Sequence, residues 1–293
     1  MSKHELDIDR FRVFPHDRVK LRRYDTDDTR PFRDKAEAGD RLERGRKRMF
    51  ALQDKLYAQH EWAVLLIFQA MDAAGKDSAI AHVMSGLNPQ GTAVFAFKRP
   101  SDEELDHDFL WRTAKALPER GRIGIFNRSH YEETLVVRVH PELLDRQRLP
   151  RSLVVKDIWE QRFEDINAFE RHLARSGTLV LKFFLHMSKE TQRERLLDRL
   201  DKPAKNWKFQ ISDLDERDRW DDYMRAYEDM LSHTSTKHAP WFVIPADHKW
   251  FARIAIADVV VDALEGLGLE FPKVSKTQRA ALAAARGRLQ KAR

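Results

Sequence analysis

Apolar positions along this chain follow two alternating rhythms. Over 36–59, Leu42, Met49, Leu52 and Leu56 recur near one stripe, which predicts an amphipathic helix. The run EWAVLLIFQA comes next. It is short, bulky and β-branched in part, and predicts a strand buried on both faces. A helical stretch runs from Ser78 to about Gly86. The alternation then repeats, with strands at 92–97 (TAVFAF), 122–126 (RIGIF), 178–185 (TLVLKFFL) and 241–245 (WFVIP). Between and after them the spacing predicts helices over 103–116, from the third strand through Val137, and over 158–175, 189–200, 215–232 and 249–266. In 158–175, Trp159, Phe163, Ile166 and Phe169 stand three and four apart. Strands alternating with helices predict an α/β fold, with a parallel sheet of about five strands and helices on both faces. Residues 1–35 are polar, rich in Asp and Arg, and expected to be irregular. The tail, 274–293, is Ala, Arg and Lys, and reads as either a solvated helix or a disordered segment.

Composition narrows the class. Of 293 residues, 42% are hydrophobic, enough for a sizeable core, and the net charge is +6. That sign suits a polyanionic partner without choosing among nucleic acid, an anionic membrane and a polyphosphorylated substrate. The absence of cysteine excludes disulfides and thiolate metal sites. The start, MSKHELDIDRFRV, has no apolar signal core. The longest apolar run, about Ala63–Phe68, is too short to span a bilayer. A soluble, cytoplasmic protein with no membrane contact is the expectation.

The first strand leads into Ala70-Met71-Asp72-Ala73-Ala74-Gly75-Lys76-Asp77-Ser78 and then a helix. A phosphate-binding loop belongs at such a junction. A helix N-terminus offers unpaired N–H groups and a partial positive charge to an anion. Gly75 admits close backbone approach, Lys76 can reach outer phosphates, and Asp72 can hold Mg²⁺ directly or through water. Two positions depart from the usual pattern: Ala70 stands for the first glycine and Asp77 for the final Ser or Thr. An ordinary strand–turn–helix junction would also use Gly and Asp.

The third strand runs into Asn127-Arg128-Ser129-His130-Tyr131-Glu132-Glu133. Asn127 occupies the place of a metal-binding carboxylate but brings no charge. Arg128 sits where ligands bind in open α/β sheets, and its planar guanidinium suits phosphate. Glu132 could contact a sugar, a base or a second Mg²⁺. It could equally complete a capping box with Ser129. Residues 193–217 are dense in Arg193, Arg195, Arg199, Lys202, Lys205, Lys208 and Arg217, interleaved with Trp207 and Phe209 and broken at Pro203. They read as a lid over phosphates, or as a solvated helix pair. His82, His107 and His130 lack metal-ligand spacing and are read as structural or surface groups. Trp111, Trp159, Trp220, Trp241 and Trp250 are read as core rather than stacking platforms.

FQAMDAAGKDSAI, FNRSHYEETLVVRV, RLDKPAKNWKF followed by Asp213, and STKHAPWFVIPADHKW occur in this order. Together they resemble the motifs of type 2 polyphosphate kinases, from about residue 8 to about 270. The resemblance implies a three-layer α/β/α P-loop kinase fold like that of thymidylate kinase, with a helical lid at about 190–217. It implies one kinase domain over 1–293, with an N-terminal extension at 1–60 and the basic tail at 274–293. It also implies Mg²⁺ dependence, a basic channel for polyphosphate and a homotetramer. Carried over by residue, Asp72 helps bind Mg²⁺, Lys76 and Arg128 act at the transferring phosphate, and Ala73, Ala74, Gly75, Asp77 and Ser78 complete the cradle. Arg199 and Asp213 touch the nucleotide and its metal, with Lys205 and Lys208 beside them. Many members carry Asp and Asn where this chain has Asn127 and Glu132. That combination resembles the subgroup that accepts both AMP and ADP. The rival readings are a nucleoside-monophosphate kinase using ATP as donor and a nucleic-acid binder. No RNP segment, helix-turn-helix or zinc finger supports the second.

Overall fold

The structure, a computed structural model, describes residues 6–291. The first five residues of the segment expected to be irregular and the last two of the basic tail lie outside the described residues.

Six strands form one sheet: β1 (Arg12–Val13), β2 (Ala63–Gln69), β3 (Thr92–Ala96), β4 (Ile123–Asn127), β5 (Thr178–His186) and β6 (Trp241–Pro245), in the order β1-β6-β5-β2-β4-β3. The five expected strands are all parallel. The two-residue β1 was not predicted, and it pairs antiparallel with β6 at the edge. Two residues are too few to show any alternation, and β1 forms only because β6 offers it an open edge.

All seven residues of β2 are buried, as expected of a strand flanked on both edges and both faces. In register, Leu66 lies between Ile125 of β4 and Leu181 of β5. Numbering the longer helices in chain order, α1 (Arg41–Gln59), α2 (Lys76–Val83) and α6 (Lys249–Glu265) cover one face. Their apolar side chains meet Val64, Leu66, Phe68, Phe183 and Ile244 there. On the other face, α3 (Ile158–Arg175) and α5 (Trp220–Thr234) pack with Leu65, Ile67, Phe184 and Trp241. These are the three α/β/α layers. Truncating Leu66 to Ala would cost about 2–5 kcal/mol through lost burial and a residual cavity.

Outside these layers lie α4 (Lys189–Asp201), which enters the lid segment, and α7 (Lys276–Lys291), the tail helix. Every described residue of α7 is exposed or nearly so, so the solvated-helix alternative holds for the tail up to Lys291.

Four helical expectations need correction. The helix over 36–59 is interrupted at Gly39, φ +53, so Lys35–Ala38 is a single turn and α1 begins at Arg41. Residues 103–116 form two short turns, Asp102–Leu105 and Trp111–Ala114. The first is a capping box of Ser101 and Glu104 that ends after one turn. The stretch to Val137 is a 3₁₀ helix, His130–Thr134, followed by Val136–Val139. The helix placed at 215–232 is split at Arg219 into Ser212–Asp218 and α5. Periodicity overran each of these because apolar spacing carries across the residues at the breaks, Asp106–Phe109 and Arg219 among them, while tertiary packing decides where the chain turns. Pro203 does break the chain as expected: α4 ends before it, and Pro203–Asn206 begins anew with the proline in its first turn. Of the tryptophans, Trp220 and Trp241 are core, while Trp111, Trp159 and Trp250 are half-buried.

Candidate phosphate-transfer site

The central strand β2 has β4 on one side and β5 on the other. The chain leaves β2 to build β3 and β4, and returns across it to build β5 and β6. Ligands bind outside the carboxyl ends of strands at such a reversal. The 70–75 loop, Asn127 and Arg128 at the end of β4, and Ala246 after β6 lie there.

The loop is built for close approach. Gly75 has φ +102 and caps the start of α2, a conformation that costs glycine little. Ala73 has φ 64, in the left-handed region without a glycine's freedom. Ala70 is not among the positive-φ residues, which accounts for the missing first glycine. Lys76 is buried, and its Nζ donates to Ala70 O at 2.7 Å, joining the two ends of the loop. Burial, and then the nearby Arg128 charge, push its ammonium down to about 8, against the opposing pull of Asp72.

Arg128 also has positive φ, 64. Its Nη2 donates to Asp72 Oδ1 at 2.8 Å and its Nη1 to Glu132 Oε2 at 3.3 Å. Glu132, then Asp72, raise its already high pKa, against burial. Ser129 accepts from Tyr131 N, but Glu132 does not close a box with it; the carboxylate turns to Arg128 instead. Asn127 Nδ2 donates to Asp77 Oδ1 at 2.5 Å. The two departures from the usual motifs therefore meet each other: an Asp at 127 would set two carboxylates face to face.

The lid is a hairpin laid beside this centre. Arg199 Nη1 donates to Asp213 Oδ2 and to Lys208 O, both at 3.2 Å. Burial, then the Asp72 carboxylate, raise Asp213 above its ordinary value. Lys205 is engaged with Asp198, and Lys208 lies 5.0 Å over the ring of Trp207, which is 77% exposed. Neither lysine touches the 70–77 loop. The structure thus brings together Asp72, Lys76, Asp77, Asn127, Arg128 and Glu132, sets Arg199 and Asp213 at the rim, and leaves Lys205 and Lys208 on the lid.

Several groups at the loop escaped the sequence reading. Gln192 Nε2 donates to Asp72 O at 3.1 Å, and Arg253 Nη2 donates to Ser78 Oγ at 2.7 Å. Lys249 Cε would lie 3.8 Å from a Cβ added to Gly75. Burial, then Arg195, Lys205 and Arg253, draw the Lys249 ammonium down, the mark of crowded positive charge. Lys249 and Arg253 lie four apart at the start of α6, directly after the last parallel strand. That position was the available signal.

A family model described as polyphosphate kinase 2 matches residues 33–271. The chain belongs to the polyphosphate kinase 2 family. It is 50% identical over 283 residues to an ADP-polyphosphate phosphotransferase of Rhodopseudomonas palustris, covering 96% of this chain and 98% of that one. It is 44% identical to an AMP/ADP-polyphosphate phosphotransferase of Meiothermus ruber, covering 90% of this chain and 95% of that one. The crystal structure of polyphosphate kinase 2 from Arthrobacter aurescens superimposes with a TM-score of 0.84 at 40% identity, over 94% of this chain and 95% of that chain. Among the described residues, no helix is long and apolar enough to cross a membrane.

Proposed function

We propose that this chain transfers phosphoryl groups from inorganic polyphosphate to AMP and ADP, forming ADP and ATP reversibly. The observation that carries the reading is the convergence of Lys76, Arg128, Asp72 and Glu132 at the carboxyl edge of the central strands, within a chain matched to this family along most of its length. Acceptance of both nucleotides rests on Asn127 with Glu132 and on the Meiothermus relative's name. The Rhodopseudomonas relative, named for ADP alone, makes the acceptor range the point to test.

Phosphoryl transfer asks for in-line positioning and cations on the equatorial oxygens, with little covalent help from the protein. The 70–75 loop and the start of α2 present backbone N–H groups to the donor's terminal phosphate. Lys76 and Arg128 both belong to this cluster and would offset charge as it develops. The attacking oxygen of a nucleotide phosphate is ionised at neutral pH, so no strong base is required.

Asp72, with Asp213 on the lid, would supply carboxylates to a Mg²⁺ ion, and each is partly held by an arginine. No group of three or more His, Cys, Asp or Glu among the described residues could hold one alone. Such a sparse protein shell suits Mg²⁺, which keeps waters and substrate phosphates as ligands. When bound there, the ion neutralises and aligns the phosphates of donor and acceptor. Further parts of the same proposal are a single kinase domain over 1–293 with an extension at 1–60, a lid at about 190–217 and a basic tail at 274–293, together with cytoplasmic location and a homotetramer.

The deciding assay is ATP formation by the purified protein from long-chain polyphosphate, Mg²⁺ and either AMP or ADP. Product from both acceptors is expected. Product from ADP alone would restrict the function to the second step, and product from neither would overturn it.

A further inference from the structure

By sequence Arg195 is one more lid cation available to phosphate. Its geometry is different. From α4, its Nη1 donates to Ala74 O at 2.9 Å and Ala73 O at 3.2 Å, and its Nη2 donates to Ala246 O at 2.7 Å and Asp247 O at 2.9 Å. Both terminal nitrogens are committed to main-chain carbonyls. One guanidinium therefore ties together the phosphate loop, the lid helix and the turn between β6 and α6.

That turn is itself held firmly. Asp247 Oδ1 accepts from Ser188 N at 2.9 Å, at the cap of α4, and Oδ2 accepts from Thr26 Oγ1 at 2.7 Å. Arg195 thus braces the phosphate loop against a fixed point. The peptide plane makes this matter for binding. With Ala74 O turned to Arg195, the N–H of Gly75 on the same planar trans peptide faces the opposite way. The carbonyl on its other side belongs to Ala73, whose positive φ is disfavoured for a residue with a Cβ and needs external support.

We propose that Arg195 is a positioning residue: it fixes the phosphate-loop backbone, Ala73 included, by clamping the Ala73 and Ala74 carbonyls to the Ala246–Asp247 turn, and it is not a ligand of substrate phosphate. Arg195→Lys keeps the charge but cannot fork to four carbonyls. The inference rests on the reading of 70–77 as a phosphate cradle.

The test is steady-state transfer from polyphosphate to ADP by wild type, Arg195→Lys, and Arg195→Lys combined with Ala73→Gly, with thermal melts alongside. Arg195→Lys should lower kcat about 10–100-fold, because the loop is misplaced rather than unfolded, with KM for either substrate little changed. Adding Ala73→Gly should recover kcat several-fold, since glycine adopts positive φ without help. A rise in polyphosphate KM with kcat intact would make Arg195 a substrate ligand and overturn the proposal. So would a lower Tm with unchanged kcat, or no recovery from Ala73→Gly. A wild-type protein that makes no ATP from polyphosphate would instead condemn the functional reading itself.

Discussion

Two charged networks hang on the same short segment, 127–134, and they differ in how completely each is closed. Beneath the sheet, Lys182 is fully buried. Its Nζ donates to Glu170 Oε2 at 2.6 Å, to Thr234 O at 2.7 Å and to Tyr131 OH at 2.8 Å, while Tyr131 OH donates to Glu170 Oε1 at 2.8 Å. All three ammonium protons are used, and water is shut out. Three residues before Tyr131, Arg128 holds Asp72 and Glu132 with its side chain 38% exposed and theirs 32% and 22%. The chemistry is the same, but one network is complete and enclosed, while the other is open on the side facing the loop. Closed pairing of buried charge serves the fold. Open pairing beside excess cations leaves charge available to a ligand.

The largest effect should come from unbalancing the closed network. Lys182→Met leaves Glu170 buried without its counter-charge, and unfolding free energy should fall by about 3–5 kcal/mol. Denaturant melts should show most of that loss returning in Lys182→Met/Glu170→Leu. The pH dependence should reverse as well. In wild type, burial raises Glu170 but Lys182 and His130 outweigh it, so its pKa lies below the ordinary 4.5. A lowered acid contributes stability above the unfolded value and loses it as pH falls through the folded one. In Lys182→Met the main counter-charge is gone and burial is opposed only by His130 and the Tyr131 hydroxyl, so the pKa rises and the variant should gain stability on mild acidification. A variant with the wild-type pH trend would show that Glu170 is not governed by Lys182.

Next comes the open network. Lys76→Ala should reduce kcat about 10²–10³-fold, the usual effect of losing one preorganised donor to a charged transition state. Its melting temperature should change little by comparison, and near-normal turnover would remove the phosphate-loop assignment. A smaller effect is expected of Asn127→Asp, which replaces the donor to Asp77 with a second carboxylate. Leaving the two unpaired costs about 1–3 kcal/mol, to be read as a reduced kcat/KM that excess Mg²⁺ partly restores. At the low end, Arg193 and Glu190 form a pair more than half exposed on both sides. Arg193→Ala should change stability by less than about 1 kcal/mol and leave transfer untouched, although it removes a cation from the lid.

The closed network was harder to see in sequence than the open one. Lys182 stands inside TLVLKFFL, where a lone lysine in an apolar run gives no hint of Glu170 twelve residues earlier in α3. Asp72, Lys76 and Arg128 were visible because a phosphate loop and the strand-end segment beside it each carry local spacing. Arg195 was legible as a charge but not as a clamp, since nothing local says that its partners are carbonyls of residues 73, 74, 246 and 247.

Alone, the sequence determined the five parallel strands, the place of the loop between the first of them and its helix, the break at Pro203 and the family. These follow from hydrophobic period, chain breakers and contiguous motifs, all of which act over a few residues. Tertiary structure alone decided the pairing of Asn127 with Asp77, the turn of Glu132 from cap to Arg128, the two-residue edge strand and the approach of Lys249 and Arg253 to the loop. All but the Arg128–Glu132 contact, which is four residues long and set by the positive φ of Arg128, join residues from separate strands or layers, and such contacts depend on strand order and register, which local pattern does not encode.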